Sequence, residues 1–271
     1  MTTEPIWKGL LARTGLLLCL VMASGTAEAS CTSPAAPKVD WTGCDFTGAD
    51  LAGANLSYAN LTGAILPDVI LTNANLTAAT LTGANLYRAN LKGAILDAVD
   101  LTGANLTGAN LNGAVLTRAI LVNTNLAAAD LSGANLLQAD LEQANLSNAS
   151  LQRADATFTN FTNADLSGAN LAHADLTNAD IVEANLYRAD LSDAILSGSD
   201  LSESNLIETN LSRAVLEEVD LVDVNLSEAD LREAVLQDSD LSDADLYKAR
   251  LSGSVWFDGK TCAEGSRGTC D

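Results

Sequence analysis

The 271-residue chain contains one histidine, His173, which excludes acid–base chemistry by a pair of imidazoles. No cysteine lies between Cys44 and Cys262. The two cysteines at either end have no histidine beside them with which to complete a zinc site. No glycine-rich phosphate loop follows a strand and opens a helix. Serine and threonine are abundant, but none has a base beside it. Positive charge is scarce: 14 Lys and Arg stand against 35 Asp and Glu, for a formal net charge of −21. The apolar run at residues 16–23, LLLCLVMA, is too short to span a membrane. No reaction centre, metal site or cofactor is expected, so a non-enzymatic role is.

What the chain has instead is a repeat. Residues 100–115 read DLTGANLTGANLNGAV, which nearly overlays itself when shifted by five. Every fifth residue from Phe46 to Leu251 is Leu, except Phe46, Ala156, Phe161 and Ile181. Two residues before each sits a small side chain, usually Ala (Ala49, Ala54, Ala59), and the residue just before is usually Asn or Asp. Ser or Thr often follows the Leu, then Gly or a polar residue. A helix needs apolar residues at i, i+3, i+4 and i+7, and a strand alternates every two. Leu every five residues would cover all faces of a helix and leave no single core stripe. A short fixed period signals stacked units, none of which buries its own Leu alone.

The pattern A-(D/N)-L-x-x resembles the pentapeptide-repeat family over about residues 44–258. The resemblance implies an all-β fold, a right-handed quadrilateral β-helix with four pentapeptides in each square coil of twenty residues. Leu and the residue two before it would point inward and the other three outward. At about 4.8 Å per coil, about ten and a half coils with capped ends make a rod of roughly 50 Å. Gly and Asn at the corners suit turn geometry. One coil pairs an undersized Ala156 with an oversized Phe161, which reads as volume compensation.

The ends differ from the repeat. In residues 1–29, Lys8 and Arg13 precede the apolar run, and AEA at 27–29 supplies small residues for cleavage, the pattern of a secretory signal peptide. A lipoprotein signal fits less well, since Cys19 follows Leu18 and Cys31 follows EAS. Cleavage would leave Cys31, Cys44, Cys262 and Cys270, an even number suited to an oxidising compartment. Three connectivities are formally possible, and separation along the rod favours Cys31–Cys44 and Cys262–Cys270. The expected layout is a signal peptide (1–29), an N-terminal cap (30–43), the solenoid (44–258) and a disulfide-bearing tail (259–271). Asn-x-Ser/Thr sites such as Asn55, Asn60, Asn75 and Asn105 are by-products of the repeat. The expected location is exported: periplasmic, extracellular or thylakoid-lumen-like.

The charge is lopsided. Residues 30–179 carry 12 acids and 5 bases, and residues 180–271 carry 21 acids and 7 bases. Folded into twenty-residue coils, the sequence stacks Asp180, Asp200, Asp220 and Asp240 in one column and Glu183, Glu203, Asp223 and Asp243 in another on the same wall. Like charges stacked at about 4.8 Å are destabilising, and divalent cations or a basic partner would offset them. The adjoining wall carries Ile195, Val215, Val235 and Val255 where Asn or Asp is expected. Ile95 and Val115 precede them in the column, and Asn135, Asp155 and Asp175 interrupt it. Such a stripe is a docking candidate. His173 falls at an outward corner. These features suggest an exported scaffold presenting an acidic wall and an apolar stripe to a protein or cationic partner, or to another copy of itself. No direct nucleic-acid binding and no membrane span in the mature chain are expected. Two alternatives stand beside it. Family resemblance implies a DNA-mimicking inhibitor of a DNA-binding enzyme such as gyrase, and the carboxylate ladders suggest a divalent-cation-binding surface module.

Overall fold

Each pentapeptide brings five backbone N–H groups, and the fold follows from where they go. In Asn105–Ala109, the Asn105 N–H donates to the Ala84 carbonyl of the preceding coil at 2.9 Å. The N–H groups of Leu106 and Gly108 donate to Asn125 and Ala127 of the following coil, at 2.7 and 2.9 Å. The Ala109 N–H closes a turn onto Leu106, also at 2.9 Å. The fifth donor, on Thr107, is taken by the Asn105 side chain through Oδ1 at 3.1 Å. All five are satisfied, and the last of them explains why Asn or Asp precedes the Leu: its side chain folds back as an Asx turn. The third turn residue has positive φ, as at Gly108 (64°), which is the geometry of a type II turn. Many corners hold other residues, Glu203 (58°) and Arg88 (55°) among them, at about 1–2 kcal/mol each.

The computed structural model describes residues 30–271. The signal-peptide reading of residues 1–29, with Lys8, Arg13 and Cys19, falls outside the described residues. Parallel bridges join residues twenty apart, from Asp40–Asn60 to Val235–Val255, four to a coil and one on each wall. The chain is a right-handed quadrilateral β-helix. Pairing starts at Asp40, ahead of the expected start at Cys44, because Asp40 already makes the repeat's turn, accepting the Thr42 N–H at 3.1 Å.

Inside, the Leu column and the small residues beside it form one continuous core, most members 0–1% exposed. Ala156 and Phe161 are both fully buried. Where a hydroxyl replaces the small Ala, it donates to a Leu carbonyl: Thr124 to Leu101, Thr159 to Leu136 and Thr209 to Leu186, each at 2.8 Å. Ser199 is the exception, its buried Oγ having no partner among the described residues.

The ends are closed differently. At the start, Cys31–Cys44 ties a loop across the first coil, where Trp41 packs on Phe46 with centroids 4.3 Å apart and donates from Nε1 to the Ser33 carbonyl at 3.3 Å. At the finish the tail folds back through antiparallel bridges Arg250–Arg267 and Val255–Thr261, and Cys262–Cys270 holds it. Among the described residues no helix is long and apolar enough to cross a membrane.

Two core predictions follow. Ser199→Ala removes an unpartnered buried hydroxyl, whose burial costs about 1–3 kcal/mol, so the variant melts no lower than the parent, whereas Thr209→Ala melts lower. If Ala156 and Phe161 share volume, Ala156→Leu costs about 1–3 kcal/mol by overpacking. Adding Phe161→Leu then recovers much of that loss, a coupling read from a double-mutant cycle of denaturant midpoints. Additive losses would place the two side chains in independent packing sites.

Candidate functional site

The bridges put Asp180, Asp200, Asp220 and Asp240 in one unbroken line. Glu183, Glu203, Asp223 and Asp243 occupy the exposed corner of the same wall. The preceding corner adds Glu217, Glu218, Asp238 and Asp258, so from Asp180 to Asp258 this wall and its two corners carry acids and no base. Asp200, Asp220 and Asp240 each spend one oxygen on their own turn, accepting from the N–H of Ser202, Val222 and Ser242 at 2.9, 3.0 and 2.9 Å. The Ser242 hydroxyl and N–H together hold the Asp240 carboxyl below its ordinary value. Among the described residues no three carboxylate, thiol or imidazole side chains are arranged to hold a metal ion.

Five of the bases beyond Asp180 lie on the other walls, already engaged. Arg188 meets Glu208 at 2.7 Å, Arg213 meets Asp193 at 2.6 Å and Lys248 meets Glu228 at 2.8 Å, each pair twenty residues apart. Arg232 and Arg250 share Asp230 at 2.6 and 3.2 Å. The hydrogen bonds from Arg188 and Arg213 draw the Glu208 and Asp193 carboxyls below their usual range. These pairs escaped the sequence reading, although the twenty-residue spacing of all but Arg232–Asp230 was available once the coil length was assigned. His173 sits exposed at a turn with φ 60°.

Ile195, Val215, Val235 and Val255 are bridged in succession. Ile195 is 42% exposed, and the three valines are half-buried. Single exposed isoleucines occur on the other walls too, at Ile65, Ile70 and Ile120, so one β-branched residue is tolerated anywhere. Four in a row carry a cost. Val and Ile lack the oxygen that closes the Asx turn, and the N–H groups of Ser197, Glu217, Gln237 and Phe257 have no protein acceptor among the described residues. The stripe runs between the ion-paired corner holding Arg213 and Glu233 and the acidic corner holding Glu217, Glu218 and Asp238.

Stacked carboxylates repel, and salt screens them. Raising NaCl from about 0.02 M to about 0.5 M therefore raises Tm by a few degrees. Asp200→Asn with Asp220→Asn keeps the Oδ1 acceptor, raises Tm at low salt and shrinks the salt increment. A melting curve with the same salt response in parent and variant would show that the ladder carries no repulsion.

Residues 38–68, 70–108, 94–133, 109–148, 124–157 and 149–186 match the model of pentapeptide repeats, in eight copies, and residues 169–246 match that of a pentapeptide repeat region. No curated protein matches the chain. Among solved structures, the chain is similar to HetL, a pentapeptide repeat protein involved in heterocyst differentiation regulation in the cyanobacterium Nostoc. The two share 33% identity over 83% of this chain and 92% of that one, with a TM-score of 0.39. A trypsin-treated form of QnrB1, a plasmid-mediated fluoroquinolone resistance protein, is 21% identical over 56% of this chain and 78% of that one, with a TM-score of 0.53. A pentapeptide repeat protein of the Arabidopsis thaliana thylakoid lumen is 27% identical over 51% and 69%, with a TM-score of 0.13.

Proposed function

The chain belongs to the pentapeptide repeat family, and on that premise we propose that it is an exported, non-enzymatic scaffold that docks a protein partner on its apolar stripe, beside the acidic wall. The observation that carries this reading is the run Ile195, Val215, Val235, Val255. At four successive coils the chain gives up the side-chain acceptor of its own turn and holds an apolar residue at the middle of an outward wall. A stripe kept against a local structural preference, rimmed by charge, has the make-up of a docking surface. The base-free wall alongside favours a partner with a basic rim, since like-charged surfaces are turned away and opposite ones drawn in.

The proposed layout is a signal peptide (1–29), an N-terminal cap (30–43), the solenoid (44–258) and a C-terminal tail (259–271). Disulfides at both ends suit an oxidising compartment, whether periplasmic, extracellular or thylakoid-lumen-like.

A second reading, an acidic rod that mimics duplex DNA, is favoured by the continuous wall of carboxylates, but an exported rod would not meet a DNA-binding enzyme of the cytoplasm. A cation-binding module has less support, because the ladder brings no three ligands together among the described residues.

The test is fractionation of native cells, sequencing of the mature N-terminus, and affinity capture with the parent and with Val215→Asn/Val235→Asn. Asn restores the turn acceptor, so the variant loses no more than about 1 kcal/mol of stability. A mature chain starting near Ser30, with a partner captured by the parent and lost from the variant, supports the scaffold. An uncleaved chain in the cytosol overturns the export reading and makes the DNA mimic the better one. Capture unchanged in the variant rejects the stripe.

A further inference from the structure

The last coil is not closed on all four sides. An interior outward residue is bridged twice, as Asp220 is to Asp200 and to Asp240. On the final coil, Arg250 and Val255 find their second partners in the tail, at Arg267 and Thr261. Asp240 and Asp245 have no second bridge among the described residues. The tail caps two walls and leaves two bare. Leu241, Ala244 and Leu246 are accordingly half-buried, while Leu221 and Leu226, one coil earlier, are fully buried.

The bare edge carries a defined set of unused hydrogen-bonding groups. One coil earlier, the Leu221 N–H donates to the Asp240 carbonyl at 2.8 Å and the Asp223 N–H to the Ser242 carbonyl at 3.0 Å. The equivalent N–H groups of Leu241 and Asp243 have no protein acceptor among the described residues. The Val219 carbonyl accepts from the Asp240 N–H at 3.0 Å, and its counterpart on Ser239 accepts from no backbone N–H. A strand laid parallel to this edge would therefore use both groups of one residue, its N–H to Ser239 and its carbonyl to Leu241. The carbonyl two residues on would reach Asp243.

Two further observations specify what that strand carries. An open groove of about 270 Å³ lies on this edge, lined by Ser239, Asp240, Leu241, Ser242 and Phe257, with Phe257 45% exposed. The residue following the doubly bonded one sits over Leu241, where an apolar side chain meets Phe257. The doubly bonded residue itself points outward over Asp240. Asp238 and Asp243 flank it at the two corners of the wall, which carry no base from Asp180 to Asp258, and the nearby Lys260 is turned to the Cys270 carbonyl at 3.1 Å.

We propose that the Ser239–Asp243 edge, with Phe257, binds an extended peptide in which basic and apolar residues alternate, adding it as one more parallel strand on the last coil. Strand addition of this kind takes its affinity from main-chain bonds and its specificity from alternate side chains. The site lies at the end of the rod, away from the middle of the Ile195–Val255 stripe, and stands whether or not that stripe docks a protein.

The test uses fluorescence anisotropy of the purified, oxidised protein with a labelled Lys-Val-Lys-Val-Lys peptide, capped at both ends. The lysines are the edge-facing residues in the proposed register. N-methylation at the lysine nitrogens weakens binding by at least about tenfold, and N-methylation at the valine nitrogens, with the same charge and composition, by much less. Phe257→Ala weakens it as well, while Glu183→Gln/Glu203→Gln, on the same wall two and more coils away, leaves it unchanged. Equal loss from the two methylation patterns, or as much loss from Glu183→Gln/Glu203→Gln as from Phe257→Ala, would reduce the binding to diffuse charge and overturn the proposal. So would no binding at low salt. A protein that sediments as a dimer, dissociated by Phe257→Ala, would name a second copy as the occupant and overturn it too.

Discussion

Twenty residues after each Asn or Asp the chain returns to the same wall, and the hydrogen bonds made at that return support everything else in the structure. In a unit such as Asn105–Ala109, three of the five donors reach a neighbouring coil, one closes the turn, and one is caught by the Asn side chain. Among the described residues each wall contributes one bridge per coil. A lone unit is therefore unstable, and each coil is held by the coils above and below it. The same hydrogen bonds explain the composition: Leu and Ala fill the interior, Asn and Asp serve the turn, and the remaining outward positions vary from unit to unit.

Stacking also turns composition into pattern. A residue type favoured at one position of the repeat becomes a continuous column, with neighbours about 4.8 Å apart. On two walls this places Arg or Lys against Asp or Glu in successive coils and yields local pairs such as Arg188–Glu208. On the wall of Asp180–Asp240 it stacks carboxylates with no ion-pair partner among the described residues. The valine column is the third outcome, an apolar line whose members have displaced the turn's own acceptor. Surface pairs contribute roughly 0–1 kcal/mol, so the arrangement adds little to stability.

Much of this was legible in the sequence, because a period of five divides a coil of twenty without remainder. Leu at every fifth position identified the inward column, and family resemblance supplied the square coil that turns residue numbers into walls. The lines of Asp180–Asp240 and Ile195–Val255 came directly from that arithmetic. The beginning of the pairing at Asp40 did not, since the residues around it lack the inward Leu while still making the turn through the Asp40 carboxylate. Nor did the bare half of the last coil. The tail, VWFDGKTCAEGSRGTCD, has no repeat to set its register, and which two walls it covers is decided by the bridges of Arg267 and Thr261. The orphaned hydroxyl of Ser199 was equally hidden, for Ser at that position elsewhere finds a Leu carbonyl, as Ser204 does at Leu201.

The central claim is that residues twenty apart, and not fifteen or twenty-five, are neighbours on one wall. Cysteine cross-linking tests it most directly. Asn185 and Asn205 are bridged, with the Asn205 amide donating to Asn185 Oδ1 at 3.0 Å. Oxidation of Asn185→Cys/Asn205→Cys, mapped by mass spectrometry, should give the 185–205 disulfide in high yield and leave the native pairs intact. Asn185→Cys/Asp200→Cys, with fifteen residues between the sites, should give none. Equal yields, or a preference for the shorter spacing, would contradict the twenty-residue coil and every wall assigned from it.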